Sequence, residues 1–410
     1  MAHYALICPP FYSHIRVFEA LAEALAQRGH RSTFVLNAGG ERFLAAGGPD
    51  VVTTAQNGAD LDAIIQRAAQ PNGPLGILRT VADTARLTDT LCREGPALLA
   101  AIAADSIIGD QMEPAAGLLA AHLGLPLVSL ACALPVNSAP GIPMPFLGWP
   151  YDPSAAGLKR NRGGETVAAL LLRRQRQTIK DWAARFDLGP RSTLEDCCSS
   201  LLQLSQCPES FDFPRPHHQR FQTVGPIRKS AAEVALPFDI DPKRPFVFAS
   251  LGTLQGHRLP IFKAIASACR RIDAQLLVAH CGGLNKADAH SIGADFVTDF
   301  APQAAVLSRA DACVTHGGMN TVLDAMQASV PVLVIPIAFD QPGIAARVVH
   351  HGVGRTVSRR GLTSAKVEAG LRPLLERPDA TAQAGWLGRE IARTGGATLA
   401  ARLIEEATES

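Results

Sequence analysis

His316-Gly317-Gly318 runs straight into Met319-Asn320-Thr321. Paired glycines let a backbone turn sharply and approach a ligand closely. A helix opening directly after them offers free N–H groups to an anion. The apolar run Ala312-Cys313-Val314-Thr315 before this turn has the length of a buried strand, as does Val332 to Pro336 beyond it. Asp340-Gln341 lies just past the second run. Ligands of open α/β sheets bind outside the carboxyl ends of the strands. A His, an Asn, a Thr and an Asp-Gln pair therefore converge on one crevice suited to an anionic ligand. An idle turn and a polar loop would not need five polar groups at one edge.

Further titratable groups lie nearer the amino terminus. Tyr4 to Pro9 reads as a short strand, followed by the loop Phe11-Tyr12-Ser13-His14. The helix Ile15 to Arg28 comes next, with Val17, Leu21 and Leu25 at helical spacing and Gly29 as its stop. Thr33 to Leu36 completes a βαβ opening. His14 thus sits at a strand's carboxyl end, though a lone His there is usually a cap or a solvated residue. Ser106 to Asp110 is a strand ending in a carboxylate, followed by a helix from Pro114 to Leu123 and a strand from Leu127 to Ala131. Asp110 could cap that helix, and Glu113 is the competing carboxylate in the turn. No GxGxxG follows the first strand, so a dinucleotide reading lacks its fingerprint.

The elements that must carry these residues alternate between strand and helix, which predicts α/β architecture. At 410 residues the chain exceeds one ordinary core, so two domains are expected. Hydrophobic residues at 47% and charged residues at 19% exclude a disordered chain, and a net charge of +2 gives no reason to expect a nucleic-acid partner. The start MAHYALICPP lacks a basic region and a long apolar core, so no signal peptide is expected. No apolar run reaches a membrane span. Nine scattered cysteines form no metal motif; they predict small core residues and a reduced cytosol.

Asp60 to Ala69 and Leu75 to Ala103 are helical in period, interrupted at Pro71, Gly73, Gly76 and Gly95-Pro96. Pro135 to Tyr151 is too dense in proline for a helix or central strand. Its Met144, Phe146, Leu147 and Trp149 mark core packing or a hydrophobic site. Thr166 to Arg185 reads as a helix whose Arg173-Arg174-Gln175-Arg176 is a solvated face or a contact for anionic lipid. Ile227 to Arg244 reads as a linker, after which a second sheet begins. The expected units are 1–226, 227–385 and a terminal helix over 386–410.

The stretch from Asp299 to Gln341 resembles the donor signature of UDP-sugar-dependent glycosyltransferases of the two-Rossmann GT-B fold. The resemblance rests on Phe300-Ala301-Pro302-Gln303, His316 to Thr321, Asp324, Pro331 and Asp340-Gln341. It departs from the family at Phe300, usually Trp, and at Asp324, often Glu. It implies donor contacts from Thr253, Phe300, Ala301, Gln303, His316, Gly318, Asn320, Thr321, Asp324, Asp340 and Gln341. It also implies that His14 is the general base with Asp110 as its partner, that the region of Asp60 to Ala69 and Leu75 to Ala103 walls the acceptor pocket, and that the last helix crosses back onto the N-domain. No metal or cofactor is implied.

The chain as a whole is similar to the bacterial carotenoid glucosyltransferases. Cys8-Pro9-Pro10-Phe11-Tyr12-Ser13-His14, Ala133 to Asn137, Pro208-Glu209 with Asp212-Phe213-Pro214, and Ala338 to Gly343 carry this similarity. The implied reaction is inverting transfer of glucose from UDP-glucose to the hydroxyls of a carotenoid diol such as zeaxanthin. Phe11, Met144, Phe146 and Trp149 would meet the apolar acceptor. A macrolide, flavonoid or other apolar aglycone is the alternative. A diol lodged in a bilayer would bring a cytosolic enzyme to the inner membrane surface, through Phe146, Leu147 and Trp149 with Arg173, Arg174 and Arg176.

Overall fold

The computed structural model describes residues 1–55, 60–70, 73–229 and 235–409. Pro71 and part of the expected linker, 230–234, lie outside them. The amino-terminal half runs β1 (His3–Ile7), α1 (Tyr12–Gln27), β2 (Arg31–Leu36), β3 (Asp50–Thr53), α2 (Leu61–Ala69), α3 (Gly73–Ile102), β4 (Ser106–Asp110), α4 (Ala115–Leu123), β5 (Leu127–Ala131), α5 (Ala155–Leu171), α6 (Arg173–Arg185), β6 (Leu202–Ser205) and β7 (Phe221–Thr223). All seven strands pair in parallel in the order β3-β2-β1-β4-β5-β6-β7. β1 and β4 are buried along their whole length, as parallel strands covered on both faces must be.

The second half repeats the plan. It holds β8 (Phe246–Ser250), α7 (Gly252–Gln255), α8 (Leu259–Arg271), β9 (Gln275–Ala279), α9 (Lys286–His290), β10 (Phe296–Thr298), α10 (Gln303–Leu307), β11 (Ala312–Thr315), α11 (Met319–Gln327), β12 (Val332–Val334), α12 (Gln341–His350), β13 (Gly354–Thr356), α13 (Ser364–Glu376), α14 (Pro378–Ala392) and α15 (Gly396–Thr408). Its parallel sheet has the order β10-β9-β8-β11-β12-β13. Strand order reverses between β1 and β4 in the first sheet and between β8 and β11 in the second. These are the points at which doubly wound sheets open a crevice.

Three expected helix boundaries are corrected. α3 is one helix of 30 residues that runs through Pro96. Gly95 permits this close packing, since a Cβ there would come within 2.6 Å of Leu119 on α4. The helix expected over 166–185 is two helices meeting at Leu172, whose ψ of 7° leaves the helical range. The single terminal helix expected from Trp386 is also two. α14 stays on the second domain through Ala384, Leu387 and Ile391. The chain then breaks at Gly395-Gly396, where Gly396 takes φ +52° and its N–H donates to the Val224 carbonyl at 2.7 Å. Only α15 crosses back. Ala400, Ala401 and Ile404 join the first domain's core, and the Tyr4 hydroxyl meets Thr408 Oγ1 at 2.9 Å.

The domains are also clamped by a buried ion pair. Arg347 Nη2 and Nε donate to Asp212 Oδ1 at 2.6 and 2.8 Å, and the guanidinium lies 4.2 Å over the Phe213 ring. Burial pushes the Asp212 carboxyl up, but Arg347 and Arg215 outweigh it and hold it below the usual carboxylate range.

Candidate active site

β1 delivers the chain to Phe11, and α1 begins at Tyr12, so His14 occupies the helix's first turn at the first switch point. β4, the neighbour of β1 across that point, ends on Asp110. The two side chains meet with His14 Nδ1 at 2.7 Å from Asp110 Oδ2. A carboxylate only accepts, so in the neutral ring the proton sits on Nδ1 and Nε2 carries the free lone pair. Asp110 is fully buried, while 18% of the His14 side chain is exposed to the cleft. Asp110 Oδ1 accepts from the Met112 N–H at 2.8 Å. The carboxylate therefore both turns the chain toward α4 and orients the imidazole, one oxygen for each task. Burial alone would lower the His14 pKa; the Asp110 charge and hydrogen bond, with the Asp340 charge, outweigh it and raise it.

Glu113 is not the partner of His14. It accepts from Thr88 Oγ1 at 2.8 Å and from the Ala115 N–H at 3.1 Å, and caps α4. Burial pushes its carboxyl up to about 7. Sequence reasoning missed Cys132, which follows β5. Its Sγ lies with ligand atoms of His14 and Asp110 in a group spanning no more than 4.8 Å. These three could hold a soft divalent cation, but only by taking up the dyad.

The second switch point is built from backbone. Gly252, after β8, and Gly317, after β11, take φ +70° and +90°, a region that favours glycine. The His316 ring lies between Gly252 and Gly318. A Cβ would approach it to 2.8 Å at the first and 2.7 Å at the second. α11 begins at Met319, with Gly318 as its N-cap and no side-chain cap, so its first N–H groups face this cradle. Among the described residues His316 has no carboxylate beside it, and burial pushes its pKa down to about 4. Thr253 is exposed on α7, and Phe300, just past β10, is 60% exposed. Ala301 packs on the second domain's core.

The remaining donor-signature residues are tied to one another and across the domains. Gln303 Nε2 donates to Asp324 Oδ2 at 2.6 Å, and Thr321 Oγ1 donates to Gln303 Oε1 at 3.3 Å. Arg228, from the linker, donates to Asp324 Oδ1 at 3.1 Å. It also donates to Gln206 Oε1 at 3.0 Å, while Gln206 Nε2 donates to Asn320 Oδ1 at 3.1 Å. Sequence reasoning missed Arg228 and Gln206; the only signal was their place beside Cys207-Pro208 and Gly225-Pro226. Asp340 is half-buried and accepts from the Leu134 N–H of the first domain at 3.2 Å. Gln341 Oε1 accepts from the Ile337 and Ala338 N–H groups, both at 2.8 Å, and so shapes its own loop. In that loop Phe339 takes φ +55°, a strained geometry for a bulky residue.

The expected acceptor residues are divided. Phe11 lies beside His14, with ring centroids 6.4 Å apart. Met144 and Phe146 are half-buried in the irregular loop between β5 and α5. Trp149 packs against Gly164 of α5 and under Arg160, 5.4 Å from its ring.

A His–Asp pair on one parallel sheet and a glycine-framed helix start on the other meet at the Asp340 loop. This arrangement defines the GT-B class of glycosyltransferases. The whole chain superposes on the kitacinnamycin glycotransferase (TM-score 0.78, 20% identity, 99% of both chains). It also superposes on CalG4, the calicheamicin glycosyltransferase (TM-score 0.72, 22% identity, 100% of this chain and 98% of that one). Residues 167–387 match the UDP-glucoronosyl and UDP-glucosyl transferase family. The chain is 41% identical to the zeaxanthin glucosyltransferases of Pantoea ananas (99% of this chain, 96% of that one) and Pseudescherichia vulneris (99% and 98%). It belongs to this family of UDP-dependent glycosyltransferases and is an enzyme.

Proposed function

We propose that the enzyme transfers glucose from UDP-glucose to the hydroxyls of zeaxanthin or a closely similar carotenoid diol, with inversion. The observation that carries this reading is the preassembled His14–Asp110 pair, joined to the 41% identity with zeaxanthin glucosyltransferases along the whole chain. His14 Nε2 takes the proton from the acceptor hydroxyl as its oxygen attacks the anomeric carbon. The bond from that carbon to the UDP oxygen breaks, its electron pair leaves with UDP, and the proton remains on the imidazolium beside Asp110.

UDP lies in the cradle of Gly252, His316 and Gly318 at the start of α11. Phe300 stacks on the base and Thr253 reaches the diphosphate. Asn320, Thr321, Gln303 and Asp324 bound the ribose and phosphate side, and Asp340 and Gln341 the sugar side. The N–H groups of α11 stabilise the leaving diphosphate without a metal. Phe11, Met144 and Phe146 face the acceptor. The enzyme works from the cytoplasmic side and touches the membrane only peripherally. That suits a chain in which no helix among the described residues is long and apolar enough to cross one.

The test is purified enzyme with UDP-glucose and detergent-dispersed zeaxanthin, followed by other UDP-sugars and a panel of macrolide and flavonoid aglycones. Zeaxanthin glucosides should form at undiminished rate in excess chelator. Preference for another aglycone refutes the acceptor, and loss in chelator restored by magnesium refutes the metal-free reaction.

A further inference from the structure

Leu147 and Trp149, expected from sequence to meet lipid, are packed against Gly164 of α5. The exposed apolar side chains lie elsewhere. Leu75 is 70% exposed and Ile77 and Leu78 42% each, all in the first two turns of α3; Leu170 is 66% and Val167 59% exposed at the end of α5. Single exposed apolar residues need no explanation, but grouped ones do.

These two sets lie side by side. α3 and α6 run in the same direction, because Thr84 Oγ1 donates to Gln175 Oε1 at 2.8 Å and Trp182 Nε1 donates to Asp89 Oδ1 at 2.9 Å. Leu78 is six residues before Thr84, roughly 9 Å beyond that bond along α3, and Val167 and Leu170 lie at the end of α5, which joins α6 at Leu172, three residues before Gln175. α5 also packs on α3. Leu75 and Leu78 share a face at i, i+3, as do Val167 and Leu170.

The rim is basic. Arg79, Arg173 and Arg174 are exposed and have no ion-pair or hydrogen-bond partner among the described residues; Glu165, on α5, is the exposed acid nearby. Thirteen residues past Leu75 along α3, roughly 20 Å deeper, Thr88 reaches Glu113 beside the dyad's strand.

From this juxtaposition we propose that the α3–α5 tip is the surface by which the enzyme docks on an anionic bilayer. Its leucines and valine enter the headgroup boundary, and Arg79, Arg173 and Arg174 lie over anionic lipid. α3 then leads from the bilayer toward His14. The site stands apart from the proposed reaction; it rests on that reading only for the cargo, a diol drawn from the membrane.

Flotation without acceptor, on phosphatidylcholine vesicles with or without phosphatidylglycerol, tests it. The wild-type enzyme should float with the anionic vesicles only, and less as salt is raised. Arg173→Glu with Arg174→Glu should weaken binding at least about tenfold. Leu75→Asp with Leu78→Asp, and Val167→Asp with Leu170→Asp, should abolish flotation, while Trp149→Ala should float like wild type. The Val167/Leu170 variant should keep wild-type turnover on detergent-dispersed acceptor and lose it on acceptor embedded in anionic vesicles.

Three results overturn the proposal. The first is wild type that stays unbound on anionic vesicles at low salt. Flotation could instead depend on Trp149. Sedimentation could reveal a dimer that Val167→Asp with Leu170→Asp splits, making a second copy the occupant. Normal flotation with no glucosylation of dispersed zeaxanthin supports the docking and rejects the acceptor.

Discussion

The two switch points hold a histidine each, after β1 in one sheet and after β11, the counterpart of β4, in the other, and treat it in opposite ways. His14 follows β1 and meets Asp110 from the adjacent β4, so its pKa is raised despite burial. His316 follows β11 and meets Gly252 from the turn after the adjacent β8. With no carboxylate beside it among the described residues, burial lowers its pKa to about 4. The same sheet topology therefore supplies an imidazole that can hold a proton and one that stays neutral at physiological pH. A neutral His316 can donate a hydrogen bond but brings no positive charge to a diphosphate. In the proposed reaction that task falls to the N–H groups opening α11. What separates the two is the residue at the end of the neighbouring strand, a carboxylate in one domain and a glycine turn in the other.

The contrast is broken most severely by removing the proposed base. His14→Ala should lower kcat by about 10²–10⁴, with UDP affinity, measured by calorimetry, close to wild type. Near-normal turnover would exclude His14 as the base.

Asp110→Asn sharpens the comparison by making the first site more like the second. It should cost less than the loss of His14, since the imidazole remains but loses its fixed tautomer and its charge partner. In wild type the rate should rise with pH through an ionisation above 6.5, because the neutral ring is the active form and Asp110 raises its pKa. In the Asn variant that ionisation should move to lower pH. A pH–rate profile in which the two enzymes coincide would sever the link between Asp110 and His14.

Gly252→Ala probes the other site. The new Cβ would press on His316 from a backbone at φ +70°. The KM for the donor should rise on the order of tenfold, with little change in the acceptor's. An unaltered donor KM would remove His316 and Gly252 from the cradle.

Glu113→Gln has the smallest effect. Glutamine keeps an acceptor for Thr88 and Ala115, so turnover should stay near wild type. Stability should differ with pH. In wild type, Glu113 holds its proton up to about 7 in the folded state and to about 4.3 when unfolded. The folded state therefore binds the extra proton between these values, and stability falls as pH rises through that window. The variant lacks this fall, so its gain in Tm should be largest at and above pH 7. A lost rate would return Glu113 to the catalytic group.

Much of this was written in local sequence. Strand–helix alternation, the turn His316-Gly317-Gly318 and the carboxylate at the end of Ser106 to Asp110 are short-range patterns that emerged close to their expected places, though α1 begins at Tyr12, three residues ahead of the expected Ile15, and takes His14 out of the loop. Such features obey backbone rules that a few neighbours decide. The helix breaks were less legible. Pro96 was absorbed because Gly95 allows close packing on Leu119, and the end of the chain split at Gly395-Gly396 because α14 and α15 serve different cores.

Sequence alone set which residues stand at the strand ends, since that depends on the chain's own periodicity. Only the tertiary structure decided their partners. Strand order brought Asp110 to His14 across a separation of 96 residues and left Glu113 on Thr88. It tied Asp324 and Asn320 to Arg228 and Gln206, and turned Trp149 into α5 while leaving Leu75 and Leu170 outside. Charge state and exposure depend on what packs against a side chain from distant sequence, and that is settled only when the sheets are assembled.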